Sequence, residues 1–250
     1  MCYSISFLQQ KAKKLAERYQ GILPPHWKDQ LVKGSGSETL TAYYFVSGFA
    51  HPNLPLLSDE GIRLASWGLI PHWARDRDAA MRIRKGTLNA RGETVFEKPS
   101  FRQAVRRQRA ILPVNGFFEW REHGGRKYPY FIYPRGDEYF SLGCLYDRWT
   151  DKETGEMILG FGIVTTAANP LMAQIHNRKE RMPLILTPGG EKAWLDKEAS
   201  REEVSLMIKA CPEELMEAHP VSRSLNNARN DRNTASAMEA VHYAGLPPLS

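Results

Sequence analysis

The amino-acid sequence predicts an α+β fold. Three observations predict it. Many short apolar and aromatic runs have strand length, a few short helical stretches lie among them, and the two kinds do not alternate as a repeating strand–helix–strand chain would. No linker rich in Gly, Ser or Pro and no internal repeat divides the 250 residues, so a single domain spanning 1–250 is expected.

Taken in order, residues 7–20 read as a helix. Leu8, Ala12, Leu15, Ala16 and Tyr19 recur at helical spacing, Lys11, Lys13, Lys14 and Arg18 fall on the opposite face, and Gly21 is a stop signal. Strand patterns follow at 43–49, 62–69, 110–114, 117–120, 130–133, 139–145, 158–165 and 184–186. Short helices fit 100–107, with Ser100 as N-cap, and 169–175, 191–195 and 202–210. The tail at 243–250 contains Gly245, Pro247 and Pro248 and is expected to be disordered.

Composition narrows the function classes. Apolar residues make up 42% of the chain and no apolar run approaches the ~20 residues of a membrane span, so a soluble protein is expected, with no membrane partner. The start of the chain lacks the basic, apolar and small-residue order of a signal peptide, which makes the cytoplasm the expected location. The 3 cysteines (Cys2, Cys144 and Cys211) are odd in number and widely spaced, a pattern of a reducing compartment rather than a disulfide framework. Phosphate-loop, dinucleotide-binding, CxxC and HExxH motifs are all absent and the histidines lack metal-ligand spacing, so neither cofactor nor metal is expected.

A formal net charge of +6 favours anionic partners without requiring them. Its distribution is more telling. Arg82, Arg84, Lys85 and Arg91 form one cluster, Arg102, Arg106, Arg107 and Arg109 a second, and Arg178, Lys179 and Arg181 a third. Trp67, Trp73, Trp120 and Trp149 lie near them, and cationic grooves with stacking rings suit single-stranded nucleic acid. Solvated helix faces and core tryptophans would give the same pattern.

Cys2 directly follows Met1. A small second residue permits removal of the initiator methionine, which would leave an α-amine (pKa near ~7.7–8.0) beside a thiol (near ~8.5). With an aldehyde the amine can form a Schiff base, and the thiol can then close a thiazolidine ring. The same pair would serve an N-terminal-nucleophile amidohydrolase, and an arbitrary second residue would look alike.

Three segments place polar groups among apolar ones. Residues 87–94 hold Asn89, Arg91 and Glu93. Residues 113–122 alternate Phe117, Glu119 and Arg121 with Phe118 and Trp120, and a glutamate in such an aromatic strand is a candidate for desolvation and general acid–base work. A surface carboxylate, or one paired with arginine, is the alternative. Residues 173–187 hold His176 at the end of a short helix, then Arg181 ahead of Met182-Pro183. Arg181 could anchor a phosphate bidentately or make a structural ion pair.

Together these residues resemble the SRAP family of abasic-site processing proteins. The matching words are Met1-Cys2, SWGLIPHWA at 66–74, LNARGET at 88–94, GFFEW at 116–120, GIVTTAAN at 162–169, His176 with Arg181-Met182-Pro183, and HPVSR at 219–223. The resemblance implies antiparallel sheets curling into an open barrel around a basic groove, with flanking helices. It implies that Cys2 forms a thiazolidine with the aldehyde of an abasic site in single-stranded DNA, at a strand junction among other settings. Asn89 would position the cysteine and the opened sugar, Glu119 would help open the ring, and His176 would act beside it as acid or base. Arg91 and Arg181 would grip flanking phosphates, Trp67 would support the DNA-facing surface, and Thr165 would add a hydrogen bond there. Removal of Met1 is implied to be autocatalytic. A monomer is expected, associated with the nucleoid when on DNA. Two departures stand out: Tyr3-Ser4 replaces the Gly-Arg that many members carry after the cysteine, and Asn177, Arg178, Lys179 and Glu180 separate the histidine from Arg181. Arg178 and Arg181 therefore compete for the phosphate role, with Arg181 favoured by the Met182-Pro183 that follows. The rival readings are an N-terminal cysteine amidohydrolase and a non-catalytic single-strand binder.

Overall fold

The computed structural model describes residues 2–22, 40–187 and 189–249. The elements run β1 (Ser4–Phe7), α1 (Ala12–Arg18), β2 (Tyr43–Ser47), β3 (Asn53–Ser58), β4 (Gly61–Trp67), α2 (Arg77–Gly86), β5 (Asn89–Arg91), α3 (Ala104–Arg107), β6 (Arg109–Val114), β7 (Gly116–His123) and β8 (Arg126–Pro134). They continue with β9 (Phe140–Thr150), β10 (Met157–Ala167), α4 (Pro170–Ile175), β11 (Arg181–Pro183), β12 (Ile185–Leu186), α5 (Gly190–Leu195), α6 (Arg201–Met207) and β13 (Met216–Pro220).

Two sheets result. A 5-stranded sheet has the order β13-β8-β7-β1-β2. An 8-stranded sheet has the order β11-β10-β4-β3-β6-β9-β12, with β5 added on β10. Because β9 also pairs with β10, the run β10-β4-β3-β6-β9 closes on itself as a barrel, and closure leaves these strands without a free edge. The α+β class is thus observed. Pairing is antiparallel except where β10 runs parallel to β4 and β5.

The first helix is shorter than its periodicity predicts. Ser4, Ile5, Ser6 and Phe7 form a strand with all four residues buried, paired to β2 and β7, and the helix begins only at Ala12. Tertiary pairing of Ile5 and Phe7 into the core overrides the local spacing. Besides β1, the strands β3, β5, β11 and β13 and the helix α2 were not predicted. Pro55 masks β3, because proline within a run argues against a strand. Strand β5 has only 3 residues and β13 reads MEAHP. Helix α2 fully buries only Ala80, with Met81 and Ile83 packed partly buried beside it, so its apolar stripe is narrow; its signal is the Asp76 carboxylate accepting from the Ala79 N–H as an N-cap. The 243–249 segment is also not loose. Tyr243 packs edge-on against Tyr128 at 5.1 Å, its hydroxyl donates to the Val221 carbonyl, and Leu246 and Leu249 pack on the core.

The largest core cluster joins the two sheets. Ile5, Phe117, Tyr130 and Ile132 from the smaller one meet Leu112, Phe140, Cys144 and Ile163 from the barrel, and Cys2 lies in the same cluster. Cys144 is therefore a core residue. At Gly162 the barrel closes tightly over the strand that carries Asn89. A Cβ there would come within 2.6 Å of the Thr87 carbonyl oxygen, a backbone atom that cannot swing aside. Gly162→Ala is expected to lower stability by roughly 1–3 kcal/mol, as overpacking does; an unchanged denaturant midpoint would contradict this close approach.

Candidate functional site

The site forms at the seam between the sheets. In the smaller sheet β1 lies beside β7, with Ile5 opposite Phe117, so the residues just before β1 arrive next to Glu119. In the barrel, β10 has β5 on one side and β11 on the other. Ile163 aligns with Asn89 and Thr165 with Arg91, while Thr165 faces Pro183 and Ala167 faces Arg181. Helix α4 delivers His176 as its C-cap; it starts where Asn169 accepts from the Met172 N–H and Pro170 sets the first turn.

One hydrogen bond ties the seam together. Asn89 Nδ2 donates to the Cys2 carbonyl at 2.9 Å, across 87 residues of sequence. Its Oδ1 is buried and has no hydrogen-bond partner among the described residues. Such an orphan acceptor is costly unless a ligand donates to it.

Glu119 is 4% exposed, and burial pushes its carboxyl up to about 7. The N-terminal positive charge and Lys179 pull the other way. His176 Nε2 lies 3.9 Å from Glu119 Oε2. Burial, followed by the same N-terminal charge, pushes His176 down to about 4. The two groups meet the distance criterion of an ion pair, yet at neutral pH the imidazole is uncharged, because a water-poor seam disfavours charge on either. The His176 Nδ1 lies 2.8 Å from the Arg181 carbonyl. A neutral ring that donates there from Nδ1 turns the Nε2 lone pair toward Glu119. The Cys2 thiol is fully buried, and burial, then the Glu119 charge, raise it well above its usual range. It is therefore held as a neutral thiol.

Cys2, Asn89, Glu119 and His176, expected together from the sequence, are brought together. The residues expected to contact DNA lie around this group at different depths. Arg91 is exposed at the rim, and its charge acts on Tyr3 and Glu93. Arg181 is only partly exposed and is already held: its Nη1 and Nη2 donate to the two Glu93 carboxylate oxygens, and Nη2 also donates to the Thr165 carbonyl at 2.8 Å. The ion-pair alternative for Arg181 is what the structure contains. Arg178 pairs with Glu122 at 3.1 Å. Thr165 is 0% exposed and its hydroxyl accepts from Arg181, which helps orient that arginine. Trp67 is also 0% exposed. It stacks on Phe161, and its Nε1 donates to the Leu88 carbonyl at 2.9 Å, so it braces the strand end carrying Asn89 from beneath.

The basic clusters and tryptophans need the same revision. Arg109 is 2% exposed and spends its guanidinium on the carbonyls of Trp194, Val105, Arg106 and Asp196, leaving it no surface role. Trp149 is sealed in the core with its Nε1 on the Ala74 carbonyl, whereas Trp73 is exposed. Two features escaped the sequence reading. Glu93 is the partner of Arg181, and Phe49, 64% exposed, packs its ring 5.0 Å from that of Tyr3, beside Cys2. An aromatic directly after Cys2 was the available signal.

The SOS response associated peptidase (SRAP) family matches residues 2–228, nearly the whole chain. The chain belongs to the SRAP family. Its relatives in the family include the abasic site processing protein YoqW of Bacillus subtilis, 36% identical over 66% of this chain and 71% of that one. YedK of Escherichia coli, of the same description, is 32% identical over 66% of this chain and 69% of its own. Chicken HMCES is 32% identical over 66% of this chain, which spans only 54% of that longer relative. Among solved structures, a protein from Bacteroides thetaiotaomicron superposes with a TM-score of 0.83 at 36% identity, covering 96% of this chain and 100% of that one. None of the helices described is long and apolar enough to cross a membrane.

Proposed function

We propose that this chain processes abasic sites in single-stranded DNA by bonding covalently to the opened sugar through Cys2. The observation that carries the reading is the placement of Cys2 at a closed seam beside a carboxyl of about 7 and a neutral imidazole, with its carbonyl held by Asn89. The names of its SRAP relatives support the same substrate.

The steps follow from the groups present. Hydrolysis of the Met1–Cys2 peptide first frees the Cys2 α-amine. Glu119, half protonated near pH 7, gives a proton to the ring oxygen of the abasic sugar as the bond from that oxygen to C1′ breaks, while the C1′ hydroxyl gives its proton to neutral His176 and becomes the aldehyde. The amine adds to the aldehyde carbon and water leaves, forming the imine. The thiol then adds to the imine carbon, its proton passes to nitrogen, and the thiazolidine ring closes with one water released overall. His176 Nε2, with its lone pair turned toward Glu119, takes and returns protons between these steps. Closing the ring removes the imine whose β-elimination would cut the strand. The unpartnered Asn89 Oδ1 accepts from a sugar hydroxyl.

The test is a denaturing gel of the mature chain with a single-stranded oligonucleotide carrying one abasic site, beside an undamaged strand. A heat- and detergent-stable band on the abasic strand alone is the expected result. Turnover of a small amide without any band would replace the reading with an N-terminal cysteine amidohydrolase.

Arg91, exposed at the rim, is assigned to a phosphate flanking the lesion. Arg91→Glu is expected to weaken all single strands alike, because phosphate contacts carry no sequence information. Losing that contact should lower the slope of log affinity against log salt by about 0.7. A loss confined to one base sequence in a binding titration would count against this role.

A further inference from the structure

Along β7, Phe117, Glu119 and Arg121 point to one face, two residues apart and about 7 Å from one to the next. On the adjacent strand Tyr130 is opposite Glu119 and Tyr128 opposite Arg121. This face therefore continues the site outward from Cys2 and Glu119 toward Arg121. The C-terminal segment 243–249 occupies its end. The ring of Tyr243 covers Tyr128, Leu246 and Leu249 pack on the core cluster that contains Cys2 and Tyr130, and Arg121 Nη1 donates to the Pro247 carbonyl at 2.6 Å. The same Nη1 lies 3.3 Å from the Tyr130 hydroxyl. This segment lies beyond residue 228, where the family match ends.

We propose that the 243–249 segment closes the Arg121 end of this face and thereby sets which abasic sites the chain accepts. A strand bound across Cys2 can run on freely past Arg91 but meets the segment within about one nucleotide step on the Arg121 side. The preferred substrate is then a single strand with the lesion at one terminus. Arg121 is a cation held by a neutral carbonyl, a weaker partner than a phosphate oxygen. When the segment is released, Arg121 gains a phosphate contact and a strand can pass through.

This inference rests on the proposed capture chemistry, and the experiment separates the two. Crosslinking rates are measured on oligonucleotides of one sequence with the abasic site at the first, a central or the last position. The wild type is compared with full-length Leu246→Asp/Leu249→Asp and with a chain ended after His242. The wild type should favour one terminal lesion over the central one. Both altered chains should lose that preference, and the slope of log affinity against log salt on undamaged strands should steepen by about 0.7, one phosphate contact. Adding Arg121→Ala to the double variant should return the slope to its wild-type value. Indifference of the wild type to lesion position, or an unchanged preference and slope in both altered chains, overturns the proposal. Absence of crosslinking by every protein sinks the covalent chemistry instead, and the salt slope then still decides the role of the segment.

Discussion

Cys2→Ala is expected to abolish the denaturation-stable band on an abasic strand and to leave reversible binding of single strands within about twofold. The separation follows from where each contribution resides. In the proposed chemistry the thiol supplies the bond that survives heat and detergent, whereas affinity for the strand is expected mainly from phosphates met by cations such as Arg91. The mature variant keeps an α-amine in the same place, held through the same carbonyl by Asn89. An imine can still form, but no thiol traps it, so slow β-elimination should cut the strand. The gel would therefore replace the shifted band with a faint shorter product. Equal shifted bands from wild type and variant would end the assignment of Cys2.

Glu119→Gln carries the second large effect, and it acts in opposite directions on rate and stability. Removing a general acid at the ring-opening step should slow crosslinking by about 100-fold or more at pH 7. The wild-type rate should change with pH around 7, where this carboxyl titrates, and the variant should lose that limb. Stability moves the other way. The carboxyl is near 4.5 in the unfolded chain and about 7 in the folded one, so between these values the native state holds a proton that the unfolded state has lost. Stability from this group is complete below the unfolded value, declines as pH rises, and levels off above about pH 7. The total is about 3 kcal/mol. Glutamine mimics the protonated acid at every pH. The variant should therefore unfold at the same denaturant concentration as the wild type near pH 4.5 and at a higher one at pH 8. A parallel pH dependence of both proteins would show that Glu119 is not held neutral by burial.

Much of this site could be read in the chain itself. The strand-rich α+β class follows from short apolar runs, and most predicted strands are found within a few residues of their expected ends. The chemistry proposed for Cys2 was suggested by its place directly after Met1. The alternation around Glu119 marked it for desolvation, because an aromatic strand with a carboxylate on one face must bury it or waste the face. Asn89, Arg91 and His176 were legible from their short motifs.

What only the tertiary structure decided is who meets whom. Strand β5 has three residues and no periodic signal; it exists because β10 pairs with it in parallel more than 70 residues later in the chain. That pairing places Asn89 against Cys2 and Arg91 at the rim. It also buries Thr165 and Trp67 and places Arg181 against Glu93. The direction in which Glu119 and His176 titrate is likewise a property of the closed seam. Local sequence fixes residue types and their periodicity. Burial and the distance between two side chains depend on strand register across the whole chain, and no local pattern encodes that register.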